Sequence, residues 1–217
     1  MKKKFPKQVF VTGIGTGVGK TIVCAILVEA LKADYWKPVQ AGGLDNSDTN
    51  EVQSLVSNPD STFHPESYRL KLAASPHYAA AQEGLEIDPN NIYIPKTNNY
   101  LVIEGAGGIM VPINQKATIL DLMLHFNTPV ILVSRNYLGS INHTLLSVGM
   151  LKNYTQDINL LGIIFNGTNY NDNEEIIVST SEAKVLGRIT DSTIIDASFV
   201  KKQAALMRES LSIHFDL

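Results

Sequence analysis

Val9-Phe10-Val11-Thr12-Gly13-Ile14-Gly15-Thr16-Gly17-Val18-Gly19-Lys20-Thr21 decides the fold. An apolar run enters a glycine-rich loop, and a second apolar run, Ile22 to Leu31, leaves it. That order reads strand, loop, helix. Backbone N–H groups of such a loop turn inward as an anion nest, and the helix N-terminus adds about half a positive charge. Lys20 is placed against the outer phosphates of a nucleotide, and the Thr21 hydroxyl against Mg²⁺. The common spacing places four residues between the first glycine and Gly-Lys-[Ser/Thr]. Here five residues separate Gly13 from Gly19, so the loop carries one extra residue.

Outward from the loop, short apolar runs alternate with helical patterns. Expected strands are Lys7–Thr12, Tyr35–Val39, Tyr100–Glu104, Pro129–Ser134, Leu160–Phe165 and Lys184–Ile189. Expected helices are Lys20–Lys32, Asn50–Val56, Ser75–Glu83, Ile119–Phe126, Ser140–Asn153, Glu174–Thr180 and Ala197–Leu211. Residues 57–68 read as loop, and 84–99, rich in Asn and Pro, give no clear pattern. Gly105-Ala106-Gly107-Gly108 reads as a sharp loop. Strand–helix alternation predicts an α/β fold, a doubly wound, mainly parallel sheet flanked by helices in the manner of P-loop NTPases, as one domain over 1–217.

Composition narrows the class. The chain has 217 residues, 44% of them hydrophobic and 18% charged, enough for a sizeable core and too few charges for disorder. A net charge of −3 argues against nucleic acid as partner, and Lys2-Lys3-Lys4 reads as a solvated end. No run approaches the roughly 18 apolar residues of a membrane span. Pro6 and Lys7 precede any long apolar run, so no signal peptide is expected. One cysteine, Cys24, lies on the apolar helix after the loop and reads as a core residue, which suits a reduced, cytoplasmic setting. The five histidines show no ligand spacing.

In an open α/β sheet, ligands lie outside the carboxyl ends of the strands. Lys20, Thr21, Lys37, Glu104 and Asn166 fall there on this reading. Mg²⁺ takes hard oxygens, one or two carboxylates plus phosphate oxygens, so Thr21, Asp48 and Glu104 form a candidate set. Asp48 within Asn46-Ser47-Asp48-Thr49 also fits a helix or turn cap. Glu104, ending an apolar strand, requires a partner. Lys37 either neutralises an oxyanion or snorkels from the sheet edge. Asn166 opens Asn166-Gly167-Thr168-Asn169, either a turn or a reader of a base; no closing acid suits guanine, so adenine is favoured. Gly139-Ser140-Ile141-Asn142-His143-Thr144 opens a helix, either as capping or as an anion site.

Four stretches together resemble the dethiobiotin synthetase family: the extended loop Val11–Thr21, Trp36-Lys37-Pro38-Val39-Gln40-Ala41-Gly42, Val102-Ile103-Glu104-Gly105-Ala106-Gly107-Gly108, and Leu138-Gly139-Ser140-Ile141-Asn142-His143-Thr144. The resemblance implies ATP-dependent carboxylation and ring closure of 7,8-diaminononanoate with CO₂. It implies Lys20 and Lys37 as catalytic lysines, and Mg²⁺ held by Thr21, Asp48 and Glu104. It implies nucleotide contacts from Gly15, Thr16, Gly17, Val18, Gly19, Lys20, Thr21, Ile22, Asp48, Glu104, Gly105, Ala106, Gly107 and Asn166. Thr16, Lys37, Ala41, Gly139, Ser140, Ile141 and Asn142 are implied around the substrate, the last four offered across a homodimer interface. Three positions depart from the family pattern: Gly17, where an acid is frequent, Ala41, where a serine is frequent, and Gly187-Arg188-Ile189-Thr190, where Gly-x-Ile-Pro is frequent. Rivals from other classes are a partition-type ATPase switch and a small-molecule kinase or amide-forming synthetase.

Overall fold

The computed structural model describes residues 2–153, 158–168 and 170–217. The strands are β1 (Lys3–Lys4), β2 (Gln8–Gly13), β3 (Asp34–Trp36), β4 (Val39–Ala41), β5 (Phe63–His64), β6 (Tyr68–Leu70), β7 (Leu101–Gly108), β8 (Val130–Arg135), β9 (Leu160–Asn166), β10 (Val185–Ile189) and β11 (Phe215–Asp216). The helices are α1 (Lys20–Leu31), α2 (Asp48–Leu55), α3 (Pro76–Gln82), α4 (Ile119–Phe126), α5 (Ser140–Asn153), α6 (Asn171–Ser181) and α7 (Ala197–His214). Seven strands form one sheet in the order β10-β9-β8-β2-β7-β3-β5, parallel at every pairing.

Parallel strands covered on both faces are apolar on both sides, and here successive residues feed two cores. Val9, Val11, Val102 and Val133 face α1, α2 and α7. Phe10, Leu101, Ile103 and Leu132 face α3, α4, α5 and α6. The helix after β2 and the helix after β7 therefore lie on opposite faces. β2 and β7 are neighbours, so their carboxyl ends part to leave a crevice, the position where a doubly wound sheet binds its ligand.

Four expectations are corrected. Gly105–Gly108 is no sharp loop: β7 runs through it, Gly108 pairs with Gly13, and the turn comes at Ile109–Met110. The glycines serve close approach, since a Cβ at Gly105 would stand 2.6 Å from the Phe10 ring. The expected strand Tyr35–Val39 is two strands. The chain breaks at Lys37-Pro38, proline donating no ladder hydrogen bond, and β4 leaves the main sheet to pair with β6. The 57–68 loop contains β5, and β6 begins at its end. Lys3–Lys4, although exposed, pair with β11 rather than ending free in solvent. Residues 84–99 hold only a 3₁₀ turn at Pro89–Asn91, pinned by the buried Ile87 and Ile92.

Candidate active site

Apart from its first turn and Glu29, α1 is apolar, and it is buried between the sheet and α7. Its N-cap, Gly19, sits at φ 87° and offers no side-chain cap, so the first N–H groups of the helix remain for an anion. No other residue fits at 19: a Cβ there would lie 2.1 Å from Asn166 Nδ2. Asn166 itself donates from Nδ2 to the Val18 carbonyl at 2.9 Å, tying the end of β9 to the loop. Its amide oxygen, an acceptor, has no hydrogen bond among the described residues. Lys20 donates from Nζ to the Gly15 carbonyl at 3.1 Å, and burial lowers its pKa against the pull of Glu104.

The register of β3 against β7 sets the charged group beside that loop. Trp36 pairs with Ile103, so Lys37 and Glu104 come next on neighbouring strands. Alternation turns both toward the α1 face with Tyr35 and Val102. Glu104 is 1% exposed. It accepts from Lys37 Nζ at 3.1 Å, Thr21 Oγ1 at 3.0 Å and Tyr35 Oη at 2.8 Å. Lys37 also donates to Asp48, which opens α2. Burial works to raise the Glu104 pKa, but Lys37 and Lys20 overcome it and hold the carboxylate below its ordinary range. Burial likewise works against charge on Lys37, and the two carboxylates overcome it, raising its pKa. Both stay ionised near neutrality, as a buried pair must to be worth its desolvation.

Asp48 is placed by three contacts. Ser47 caps α2 by accepting from Asn50 N, Gln40 Oε1 accepts the Asp48 N–H at 3.3 Å, and Thr49 donates to the buried Glu66 at 2.6 Å. Asp48 and Gln40, with Lys37, Glu104 and the phosphate loop, border a cavity of about 710 Å³. Of the residues named from sequence, Thr16, Gly17, Gly19, Lys20, Thr21, Ile22, Lys37, Ala41, Asp48, Glu104, Ala106 and Gly107 line it. Gly15, Val18, Gly105 and Asn166 stand just behind that lining, through the contacts described above. Gly139–Asn142 do not reach it within this chain: they open α5 beyond β8, on the far side of β2. Ser140 is buried, with its hydroxyl unpartnered among the described residues, while the adjacent Leu138 is fully exposed. Asn169 lies outside the described residues.

Sequence reasoning missed Tyr35, Gln40, Glu51 and the Ala73–Pro76 wall. Alternation back from Lys37 points to Tyr35, and helical spacing from Asp48 points to Glu51. No local signal marks Gln40 or the wall, which depend on β4 leaving the sheet.

The oxygen set fits a small hard cation. Thr21 Oγ1 and Glu104 share a hydrogen bond and Asp48 reaches the same lysine, so a hydroxyl and two carboxylates converge. Among the described residues no cluster of three or more His, Cys, Asp or Glu side chains is placed to hold a metal. One hydroxyl and two carboxylates match the hard-oxygen preference of Mg²⁺, which takes one or two carboxylates and keeps several waters.

A family model described as an AAA domain matches residues 7–197. The "ATP-dependent dethiobiotin synthetase BioD" of Christiangramia forsetii is 51% identical over 206 residues, covering 95% of this chain and 98% of that protein. The protein of the same name from Cytophaga hutchinsonii is 48% identical over 199 residues, covering 91% and 95%. Among solved structures, a MinC:MinD cell division protein complex of Aquifex aeolicus matches with a TM-score of 0.57 at 15% identity, covering 96% of this chain and 95% of that one. A ParA family ATPase of Chlorobium tepidum matches with 0.56 at 13%, covering 96% and 93%. At such identities these two speak for the fold alone.

Proposed function

The chain belongs to the ATP-dependent dethiobiotin synthetase family, and from that premise we propose that it carboxylates 7,8-diaminononanoate with CO₂ and closes the cyclic urea at the expense of ATP. The observation that carries this reading is Lys37, held between Asp48 and Glu104 at the mouth of the phosphate loop. A partition-type switch needs the loop; it has no need of a second buried lysine at a cavity large enough for a small substrate.

The residues divide the work as follows. N–H groups of Gly15 to Thr21 and the Lys20 ammonium receive the phosphates, Lys20 leaving the Gly15 carbonyl to do so. Asn166, its Nδ2 committed to Val18, offers Oδ1 to the amine edge of adenine. Thr21, Asp48 and Glu104 hold Mg²⁺, which supplies charge neutralisation to the phosphoryl group. One amine of the substrate adds CO₂ to give a carbamate. A carbamate oxygen attacks the γ-phosphate, giving a mixed anhydride and ADP. The second amine attacks that carbonyl, the ring closes and phosphate leaves. Negative charge gathers on the carbamate and the transferring phosphoryl oxygens, where Lys37 and Lys20 stand. The protein's contribution is positioning and preorganised charge.

Ala41 presents a methyl group and backbone to the substrate where a hydroxyl is frequent in the family. Gly139–Asn142 hold the substrate carboxylate from a second copy of the chain. Their distance from the cavity within one chain and the exposed Leu138 beside them support a homodimer with sites shared between subunits. The sheet and both its cores draw on the length of the chain, which supports a single domain. No helix among the described residues is long and apolar enough to cross a membrane, in keeping with a cytoplasmic enzyme.

The test is product analysis. Incubation with the diamine, bicarbonate and MgATP yields a mass matching the cyclic urea, and ADP release depends on diamine and bicarbonate. ADP release indifferent to both marks a switch, and a phosphorylated product without a ring marks a kinase. Mixing a Lys37→Gln chain with an Asn142→Leu chain restores activity if sites are shared; two inactive chains that stay inactive together remove the shared site.

A further inference from the structure

α2 turns two carboxylates toward the cavity. Asp48 opens the helix and Glu51 follows three residues on, about one turn and 4.5 Å along the axis, so both leave the same face. Both line the cavity. Their surroundings differ. Asp48 receives Lys37, and Glu104 receives Lys37, Thr21 and Tyr35. The Glu51 carboxylate has no hydrogen bond and no ion pair among the described residues. Partial burial, with Asp48 and Glu104 nearby, raises its pKa. Two lysines face three carboxylates in the cavity, and the negative charge left over is that of Glu51.

Surplus negative charge is out of place in a cavity built for phosphate and carbamate. A like charge at 4 Å costs on the order of 4 kcal/mol near a protein surface. Of the reactants only the divalent ion and the diamine are cationic. Thr21, Asp48 and Glu104 supply the ion with oxygens, and Glu51 stands one turn further along α2. We infer that Glu51 binds an ammonium group of the diamine, selecting a cationic amine and leaving its other nitrogen free for CO₂. Its carboxylate accepts N–H bonds from that ammonium, a charge-assisted contact that a neutral amide replaces poorly. The inference rests on the diamine reading of the preceding subsection.

Glu51→Gln keeps shape and helix propensity and removes the charge. Steady-state rates with diamine and ATP varied separately, and calorimetric titration of the diamine into the full-length enzyme, decide the matter. The KM and Kd for the diamine rise about tenfold, the scale of one hydrogen bond to a charged group, while the KM for ATP moves less than about twofold. Glu51→Asp recovers part of the loss. An unchanged diamine Kd overturns the inference. So does a higher Mg²⁺ requirement with diamine binding intact, which assigns Glu51 to the water shell of the ion. If the wild-type chain forms no cyclic urea, the functional reading fails; if it does and Glu51→Gln binds diamine as tightly as before, only this inference falls.

Discussion

Two carboxylates lie buried on neighbouring strands at opposite ends of one sheet, and they are held differently. Asp34 opens β3 and is 2% exposed. It accepts from Thr62 N at 2.9 Å, Thr97 Oγ1 at 2.6 Å, Asn99 Nδ2 at 2.9 Å and His64 Nε2 at 3.4 Å. The Thr62, Thr97 and Asn99 donors carry no charge, and all four groups belong to the segments they fasten. Glu104, on β7, is held mainly by Lys37, whose charge a ligand can use. Burial works to raise both pKa values; fixed dipoles lower that of Asp34, and lysines lower that of Glu104. A carboxylate surrounded by neutral donors is a fastener. One surrounded by cations holds those cations in place for something else.

The widest test of this contrast is functional. Lys37→Gln lowers kcat by about 10²-fold or more, the scale of one lost oxyanion donor, while Asp34→Asn leaves kcat of the folded enzyme unchanged. Near-normal turnover of Lys37→Gln removes the lysine from the reaction and erases the distinction between the two ends.

Stability reverses the ranking. Asp34→Asn, which faces an amide toward donors, lowers unfolding free energy at neutral pH by about 2 kcal/mol in urea titration. The pH dependence follows from the sign of the shift. The folded Asp34 pKa lies below the ordinary 3.8, so its stabilisation is full above that value and is lost as pH falls through the folded pKa. The gap between wild type and Asp34→Asn therefore narrows on acidification, and a gap constant from neutrality to strong acid refutes the assignment. Glu104, also lowered, from 4.5, adds to the acid lability of the wild type in the same direction.

The finest probe removes one neutral donor from each site. Thr97→Ala and Tyr35→Phe each cost about 1 kcal/mol in the same unfolding assay. Only Tyr35→Phe lowers kcat, by a few-fold, because Glu104 then leans harder on Lys37. Equal kinetic effects from the two would show that both carboxylates serve the reaction.

The half of the sheet built from long apolar runs was legible, because β2, β8 and β9 announce themselves by composition and the helices between them by period. The phosphate loop was legible despite its extra residue, since strand, glycines and helix must follow in that order. What escaped depends on contacts far apart in sequence. Asp34 looks like one polar residue before a strand; its partners at 62, 64, 97 and 99 lie in stretches without periodicity. Gly105–Gly108 looked like a turn because glycine marks turns and close approaches alike, and only the Phe10 ring opposite tells which. Pro38 interrupts a ladder wherever it stands, but nothing near it tells that the chain resumes in another sheet.

That resumption separates two tasks. β4 and β6 share a ladder with each other and none with the main sheet, yet β4, with Ala73–Pro76, supplies the wall opposite the phosphate loop. Residues there can be exchanged without shifting the pairing that aligns Lys37 with Glu104. Outside Gln40, which holds Asp48, the cavity's contour is thus free to drift through mutation, while Lys37 and Glu104 stay aligned by the main sheet.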